Sequence, residues 1–362
     1  MILSSATKAF PVLYAIIGFG LLIIVHELGH FLFCKAFGIS TPTFSIGMGP
    51  TIFQKKIGTT NFKLSALPLG GYVEIAGLAE PGQGEQKHSQ EEGDGAFKSK
   101  PYWQKLFVLA GGVTFNLLFA YLVFIFIFMI GFPKSEIFIQ EVEKTCPAAT
   151  AGILAGDKLI KIGESNIKEN PELLKIEREK ILSGKYTNVI LTVLRNNELK
   201  EFKVQFDLSN KEKPKLGVIF NFGFAEEKER FAPLEAIKKG IYTTNQYIYV
   251  TVYSLTQMFK NKSLKGAGGP VLIISETVKF AQKGFFYLFM FLAIISISLA
   301  IMNLIPLPVL DGGQILFTTI EAIIGKEIPI NIKNYISIGS IFLLLLTFLY
   351  ITYNDILYLI KR

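Results

Sequence analysis

Residues 15–33 read AIIGFGLLIIVHELGHFLF, and the fold follows from that stretch. With its flanks, the apolar run is long enough to cross the roughly 30 Å of a bilayer's hydrocarbon as a helix. Inside it stand His26, Glu27 and His30. Ionisable groups at membrane depth cost at least about 2.5 kcal/mol each on insertion scales and default to a functional role. Their spacing is H-E-x-x-H. On a helix, positions i and i+4 share a face about 6 Å apart along the axis. Both imidazoles can therefore bind one zinc ion, with Glu27 beside it as general base. Three histidines and 24 glutamates in 362 residues predict roughly 0.002 such matches by chance. Two plainer uses, a signal anchor and a pair of interfacial histidines with an incidental Glu, leave this spacing unexplained.

The rest of the chain repeats the apolar theme. Half of its residues are hydrophobic, Phe alone fills 32 positions, and only 18% are charged, against about 25% in soluble chains. Disorder, a collagen-like chain and a purely cytosolic enzyme are thereby excluded. Runs at 106–133, 284–310 and 334–354 carry no charge, and 9–34 carries only Glu27. They make four spans, with domain bounds at 1–34, 106–133, 284–310 and 334–354. Of the 66 charged residues, 42 fall within 133–284, a polar insert between the second and third spans. The loop 35–105 has eight lysines and six acids. Basic residues in short loops place 35–105 and 311–333 in the cytoplasm and the insert outside it, the Lys361–Arg362 pair arguing the other way. A net charge of +8 spread over lysine-rich loops implies no nucleic-acid partner. Cys34 and Cys146 cannot build a disulfide framework and read as inert. In the 35–105 loop, Thr43–Phe53 and Thr60–Val73 are β-prone around a turn at 55–58. Residues 79–95 are Gly-rich, charged and expected to be mobile, with His88 a solvated loop histidine.

A catalytic zinc site takes three protein ligands and keeps one position open. No further histidine suits, so the third ligand is expected to be a carboxylate. Asp311 is the best candidate, closing the sequence Asn303–Gly312 (NLIPLPVLDG) after an uncharged run. Pro306 and Pro308 interrupt the helix there, freeing backbone groups that only a cavity could satisfy at that depth. Glu276 and Glu321 are weaker rivals, lacking such a break, and a helix-end cap is the plainer use of Asp311.

His26–His30 together with Asn303–Gly312 (N-x-x-P-x-x-x-L-D-G) resemble the site-2 protease family of intramembrane zinc metalloproteases, most of all its bacterial regulator-of-sigma-E branch. Phe44–Pro50 and Pro68–Val73 look like that family's membrane-associated β-loop, and Lys100–Asn116 like the entry to its second span. The resemblance implies a polytopic α-helical membrane protein with four transmembrane helices in a bacterial inner membrane. It implies one zinc ion on His26, His30 and Asp311, with Glu27 as base. It further implies that Asn303 contacts the scissile backbone or supports the oxyanion, that Asn116 helps hold an unwound substrate, and that Gly70, Gly71 and Tyr72 of the β-loop pair with it as an added strand. The substrates implied are transmembrane segments of single-span membrane proteins, such as anti-sigma factors or remnant signal peptides.

Within the insert, Cys146–Ile160 (CPAATAGILAGDKLI) resembles the corresponding segment of bacterial PDZ domains, and Leu216-Gly217-Val218 their peptide-binding strand. One inserted α+β PDZ-like domain is expected at 136–222. It would bind peptide C-termini by strand addition or filter substrates by size. Residues 223–283 read as a linker with amphipathic helices, either on the outer membrane surface or as structured connection. Two other functions compete. A membrane metalloprotease with a Glu third ligand needs an E-x-x-x-D-like helix that Glu276 and Glu321 do not supply. A non-catalytic PDZ scaffold has no use for Glu27 or Asp311.

Overall fold

The computed structural model describes residues 2–78, 87–89, 91–168, 173–206, 216–260 and 268–360. Of the stretch expected to be mobile, 79–86 and residue 90 lie outside them, as does the Lys361–Arg362 pair. In chain order come α1 (Ile2–Ala36), β1 (Thr43–Ile57), β2 (Thr60–Glu74), α2 (Tyr102–Leu109), α3 (Gly111–Ile130), β3 (Phe132–Val142) and α4 (Pro147–Thr150). β4 (Lys158–Ile162), β5 (Ser165–Asn166), α5 (Leu173–Leu182), β6 (Asn188–Arg195), β7 (Glu198–Gln205) and β8 (Val218–Glu229) follow. The chain ends in five helices: α6 (Pro233–Lys260), α7 (Pro270–Lys283), α8 (Phe285–Asn303), α9 (Asp311–Ile324) and α10 (Ile330–Ile360). They divide into two compact units, Met1–Phe128 with Ala232–Arg362, and Met129–Phe231.

Four helices of the first unit are long and apolar enough to cross a membrane: Val12–Ala36 of α1, then α3, α8 and α10. Their bounds differ from the charge-free runs for local reasons. The second run is two helices, α2 and α3, meeting at Ala110, where Gly111 and Gly112 follow. The third stops at Asn303 because Pro306 offers no N–H and a ring that clashes with the preceding turn. Backbone groups freed there are satisfied locally rather than by a cavity. Leu304 N donates to Ile301 O, Ile305 N to Met302 O and Leu310 N to Leu307 O, while Gln314 Nε2 caps Pro308 O at 2.7 Å.

β1 and β2 form more than a hairpin. Thr43–Ile46 pairs on one side with Asn61–Leu64 and on the other with Gly71–Glu74, and Thr51–Ile57 pairs with Thr60–Ser65. The bend is built at Gly47, whose φ of 87° lies in the left-handed region. A Cβ there would stand 2.8 Å from Leu67 O and 2.9 Å from Ser65 O. Gly71–Glu74 has no second strand partner among the described residues. The far end of the hairpin is exposed, with Ile52, Phe53 and Ile57 uncovered beside Lys55 and Lys56.

Helices α6 and α7 do not lie free. Gly240 abuts Ile125, Phe124 stacks on Tyr247 at 5.4 Å, and Tyr121 Oη donates to Asn245 Oδ1 at 2.5 Å. Phe280 stacks on Phe291 at 4.6 Å. Asp355, buried in α10, accepts from Gly269 N and Leu272 N at the start of α7.

The second unit is an antiparallel sheet ordered β7-β6-β4-β3-β8, with β5 on β4, over a core that includes Ile139, Ile162, Leu191 and Val193. The sheet reaches Phe132 and Glu229, past the expected 136–222. The Gly156-Asp157 pair works as a loop clamp. Asp157 accepts from Leu154 N and takes Arg195 in a two-pronged ion pair at 2.6 Å.

His88 lies in a turn with part of its side chain exposed, as expected, but it is also anchored. Its Nδ1 and backbone N both approach Glu74 Oε1, at 2.8 and 3.2 Å, and its carbonyl accepts from Gly77 N and Glu91 N. Burial works to raise the Glu74 carboxyl, but hydrogen bonds from His88 and Thr43 outweigh it and hold the group below the usual carboxylate range. A depressed folded-state value adds stability that is complete above the ordinary value and is lost as pH falls through the folded one. Hydrogen exchange, corrected for intrinsic rates, should thus show steady protection of the Gly77 and Glu91 amides from pH 7 to about 5, declining only below about 4. Glu74→Ala should cut that protection about fivefold at neutral pH, the exposed side of His88 limiting the effect to about 1 kcal/mol.

Candidate metal centre

Helix α1 brings His26 and His30 onto one face, and α9 starts with Asp311. Their ligand atoms converge: all lie within 4.8 Å of one another. Nε2 of His26 is 3.3 Å from Nε2 of His30, and the Asp311 oxygens stand 3.4 Å from His26 Nε2 and 3.6 Å from His30 Nε2. Two donors each about 2.0–2.1 Å from a tetrahedral zinc ion are about 3.3–3.4 Å apart. The two imidazole nitrogens and the Asp311 carboxylate, which turns Oδ2 to His26 and Oδ1 to His30, are thus spaced as ligands of one ion. Asp311 Oδ2 is buried, and despite its 3.4 Å approach to His26 it makes no hydrogen bond among the described residues. A buried acceptor facing two imidazole nitrogens is a poor structural contact and a good cation site.

Backbone geometry holds the ligands. His30 Nδ1 lies 2.8 Å from Val108 O, which fixes the N–H on Nδ1 and leaves the Nε2 lone pair free. Helices α1 and α3 touch main chain to main chain. A Cβ on Gly111 would fall 2.7 Å from Gly29 O, and one on Gly112 would fall 2.5 Å from His30 Nε2 and 2.6 Å from His26 Nδ1. Asp311 is set by the turn before it, since Gly312 and Gly313 lie hard against the carbonyls of Leu304 and Leu307.

The other expected site residues are distributed as follows. Glu27 is buried beside the ligands in sequence, and Gly71 of β2 lies against Ile23 and Glu27, a Cβ there being 3.2 Å from Ile23 Cγ2 and 3.5 Å from Glu27 Cγ. Gly70 and Tyr72 flank it. Asn116 is fully buried, its Nδ2 3.2 Å from His26 Nδ1. Asn303, half-buried at the end of α8, makes no side-chain hydrogen bond to a described residue. In the second unit, Leu216 O and Gly217 O accept from Ala148 N and Glu143 N, and Val218 pairs with Val142 at the sheet's edge. The rival carboxylates are engaged elsewhere: Glu321 with Lys333 at 2.6 Å and Ile328 N at 2.8 Å, Glu276 with Lys279 at 2.6 Å. Sequence reading passed over Gly29, Gly111, Gly112 and the Val108 carbonyl. Gly112 and Asn116, four apart in an apolar run and so on one helix face, were the available signal.

The model of the family described as Peptidase family M50 matches residues 14–347. A curated relative from Clostridium perfringens, named a "putative zinc metalloprotease", is 30% identical over 350 residues, covering 96% of this chain and 98% of its own length. Relatives of the same description from Campylobacter jejuni and Helicobacter pylori are each 31% identical, covering 92% and 94% of this chain. Among solved structures, the PDZ domain of an SdrC-like protein from Listeria innocua covers 24% of the chain at 23% identity with a TM-score of 0.19, too low to carry an argument.

Gly112→Ala should cost the protein its metal, with bound zinc per chain, measured by inductively coupled plasma mass spectrometry, falling at least tenfold as the methyl forces both rings aside. Gly20→Ala, on the same helix as the histidines and with nothing within 4 Å of the added carbon, should keep full zinc. Full zinc in Gly112→Ala would contradict the geometry.

Proposed function

The chain belongs to peptidase family M50 and is a metalloprotease, and from that premise we propose that it cleaves transmembrane helices within the bilayer, at one zinc ion held by His26, His30 and Asp311. The observation that carries this reading is the approach, at 3.3–3.6 Å, of the two imidazole Nε2 atoms to each other and to the Asp311 carboxylate, with both histidines on α1, a helix apolar enough to cross a membrane, and Asp311 just after another, α8. Large side chains of α10 such as Ile338 and Phe342 point away from the protein, as lipid-facing residues do.

A zinc ion held there supplies Lewis acidity, polarising a carbonyl and acidifying water at neutral pH. Glu27, next to His26 on α1, takes a proton from the attacking water on its carboxylate and returns it to the leaving amine. A helical substrate has its carbonyls bonded within the helix and must unwind first. The strand Gly71–Glu74, paired on one edge with Thr43–Ile46 and with no second strand partner among the described residues, reaches Glu27 through Gly71 and offers the main-chain groups of its other edge to hold an extended segment, with Gly70 beside it and Tyr72 within it. Asn303, free of other hydrogen bonds among described residues, is placed in the role of steadying the scissile carbonyl. The second unit, with β8 paired only to β3 among the described strands, is read as a PDZ-like domain that takes peptide C-termini at Leu216–Val218 or screens substrates by size. The assignment is to a bacterial inner membrane, with the lysine-rich loops in the cytoplasm.

The purified protein in liposomes should cleave a single-span model substrate. A zinc chelator should abolish the activity and added zinc restore it, and Glu27→Gln should lower kcat by about 10²–10⁴-fold. Equal cleavage in all samples would overturn the catalytic reading. Equally fast cleavage of a soluble unfolded protein would overturn the intramembrane one.

A further inference from the structure

For His26 and His30 both to present Nε2 to one ion, both must carry their proton on Nδ1. For His30 this is settled by Val108 O at 2.8 Å. For His26 the neighbour is the Asn116 amide, and it faces the ring with its nitrogen, Nδ2 at 3.2 Å. Two donors cannot bond to each other. At the same time, Asn116 Oδ1 is buried and makes no hydrogen bond among the described residues. One 180° turn of the amide removes the mismatch at the ring, since Oδ1 then accepts from Nδ1–H. Amide oxygen and nitrogen are assigned from the hydrogen-bond network, so that turn is chemically open. The residue is well held for such work. It is fully buried, its own carbonyl accepts from Ser296 Oγ on α8 at 2.9 Å, and it stands four residues after Gly112 on the face that meets α1.

We infer that Asn116 is a positioning residue for the metal centre: its side-chain oxygen accepts from His26 Nδ1–H and so selects the tautomer that binds the ion. This rests on the metal-centre reading above and shifts Asn116 from holding substrate to acting through His26. With the amide turned the other way, Nδ2 would donate to a bare Nδ1, which puts the proton on Nε2 and blocks it as a ligand. The Gly112 backbone is the other hydrogen-bonding neighbour of His26, so the test must show whether it can serve alone.

The test is zinc affinity by chelator competition, alongside the absorption spectrum of the Co²⁺-loaded protein, for wild type, Asn116→Leu and Asn116→Asp. Leu matches the shape and accepts nothing; Asp matches the shape and only accepts. The expected result is a 10–100-fold loss of zinc affinity in Asn116→Leu with a changed Co²⁺ spectrum, and affinity within a few-fold of wild type in Asn116→Asp. Wild-type affinity in Asn116→Leu would overturn the inference in favour of the Gly112 backbone. Loss in Asn116→Asp would overturn it because the amide would then be needed as a donor, an outcome that can sink the inference even if Asn116→Leu does not fold. A wild-type protein that binds no zinc would instead remove the metal-centre reading itself.

Discussion

The main-chain contact between α1 and α3 is what everything else in the first unit depends on. Gly29 meets Gly111 with no room for a carbon atom between them, and Gly112 occupies the space against both imidazole rings. Without glycine at these positions the helices would stand apart by a side chain. His26 would then lose Asn116 as neighbour, and His30 its bond to Val108 O. Helix pairs without a hydrophobic force between them approach in this way, through small residues and close van der Waals contact. Here the contact also carries polar consequences, because the histidines sit at the crossing.

The third proposed ligand comes from a different solution to the same problem. A carboxylate can reach the crossing only if the helix that brings it stops short. Pro306 ends α8, a run of tight turns returns the backbone groups to internal partners, and Gln314 closes the last of them. Asp311 then begins α9, seated by two glycines on the carbonyls of the turn. At the other end of α9, Glu321, Ile328 N and Lys333 tie the helix down, and Tyr102 reaches Thr319 from α2. Each ligand is thus supported by backbone rather than by long flexible side chains, as a site of fixed geometry requires.

Much of this was legible from the residues. His26, Glu27, His30 and Asp311 stand out because ionisable groups in apolar runs are costly and few, so their spacing carries information. The interruption after α8 followed from Pro306, but not that Asp311 opens a helix, α9, where 311–333 reads as a loop. What was not legible depends on main-chain geometry. The kink at Ala110, the double pairing of Thr43–Ile46 and the return of backbone groups to local turns are set by bends whose partners are distant in sequence. The anchoring of His88 was missed because composition describes a loop's average polarity and not the buried carboxylate of Glu74 that one of its residues meets. Resemblance ties Asn116 to an unwound substrate; that its side-chain amide also lies 3.2 Å from a ring nitrogen of His26 was not legible. The amphipathic pattern of α6 and α7 predicted helices without saying that they meet α3 and α8 through single contacts such as Phe124 on Tyr247 and Phe280 on Phe291.

The central claim is that His26, His30 and Asp311 bind one zinc ion. Zinc K-edge X-ray absorption of the loaded protein tests it most directly. The account predicts one zinc per chain with only nitrogen and oxygen neighbours at about 2.0–2.1 Å, two of them imidazoles by their outer-shell scattering. It also predicts that Asp311→Ala removes the carboxylate oxygen from that shell. A sulfur neighbour at about 2.3 Å, a single imidazole, or an Asp311→Ala spectrum identical to wild type would contradict it.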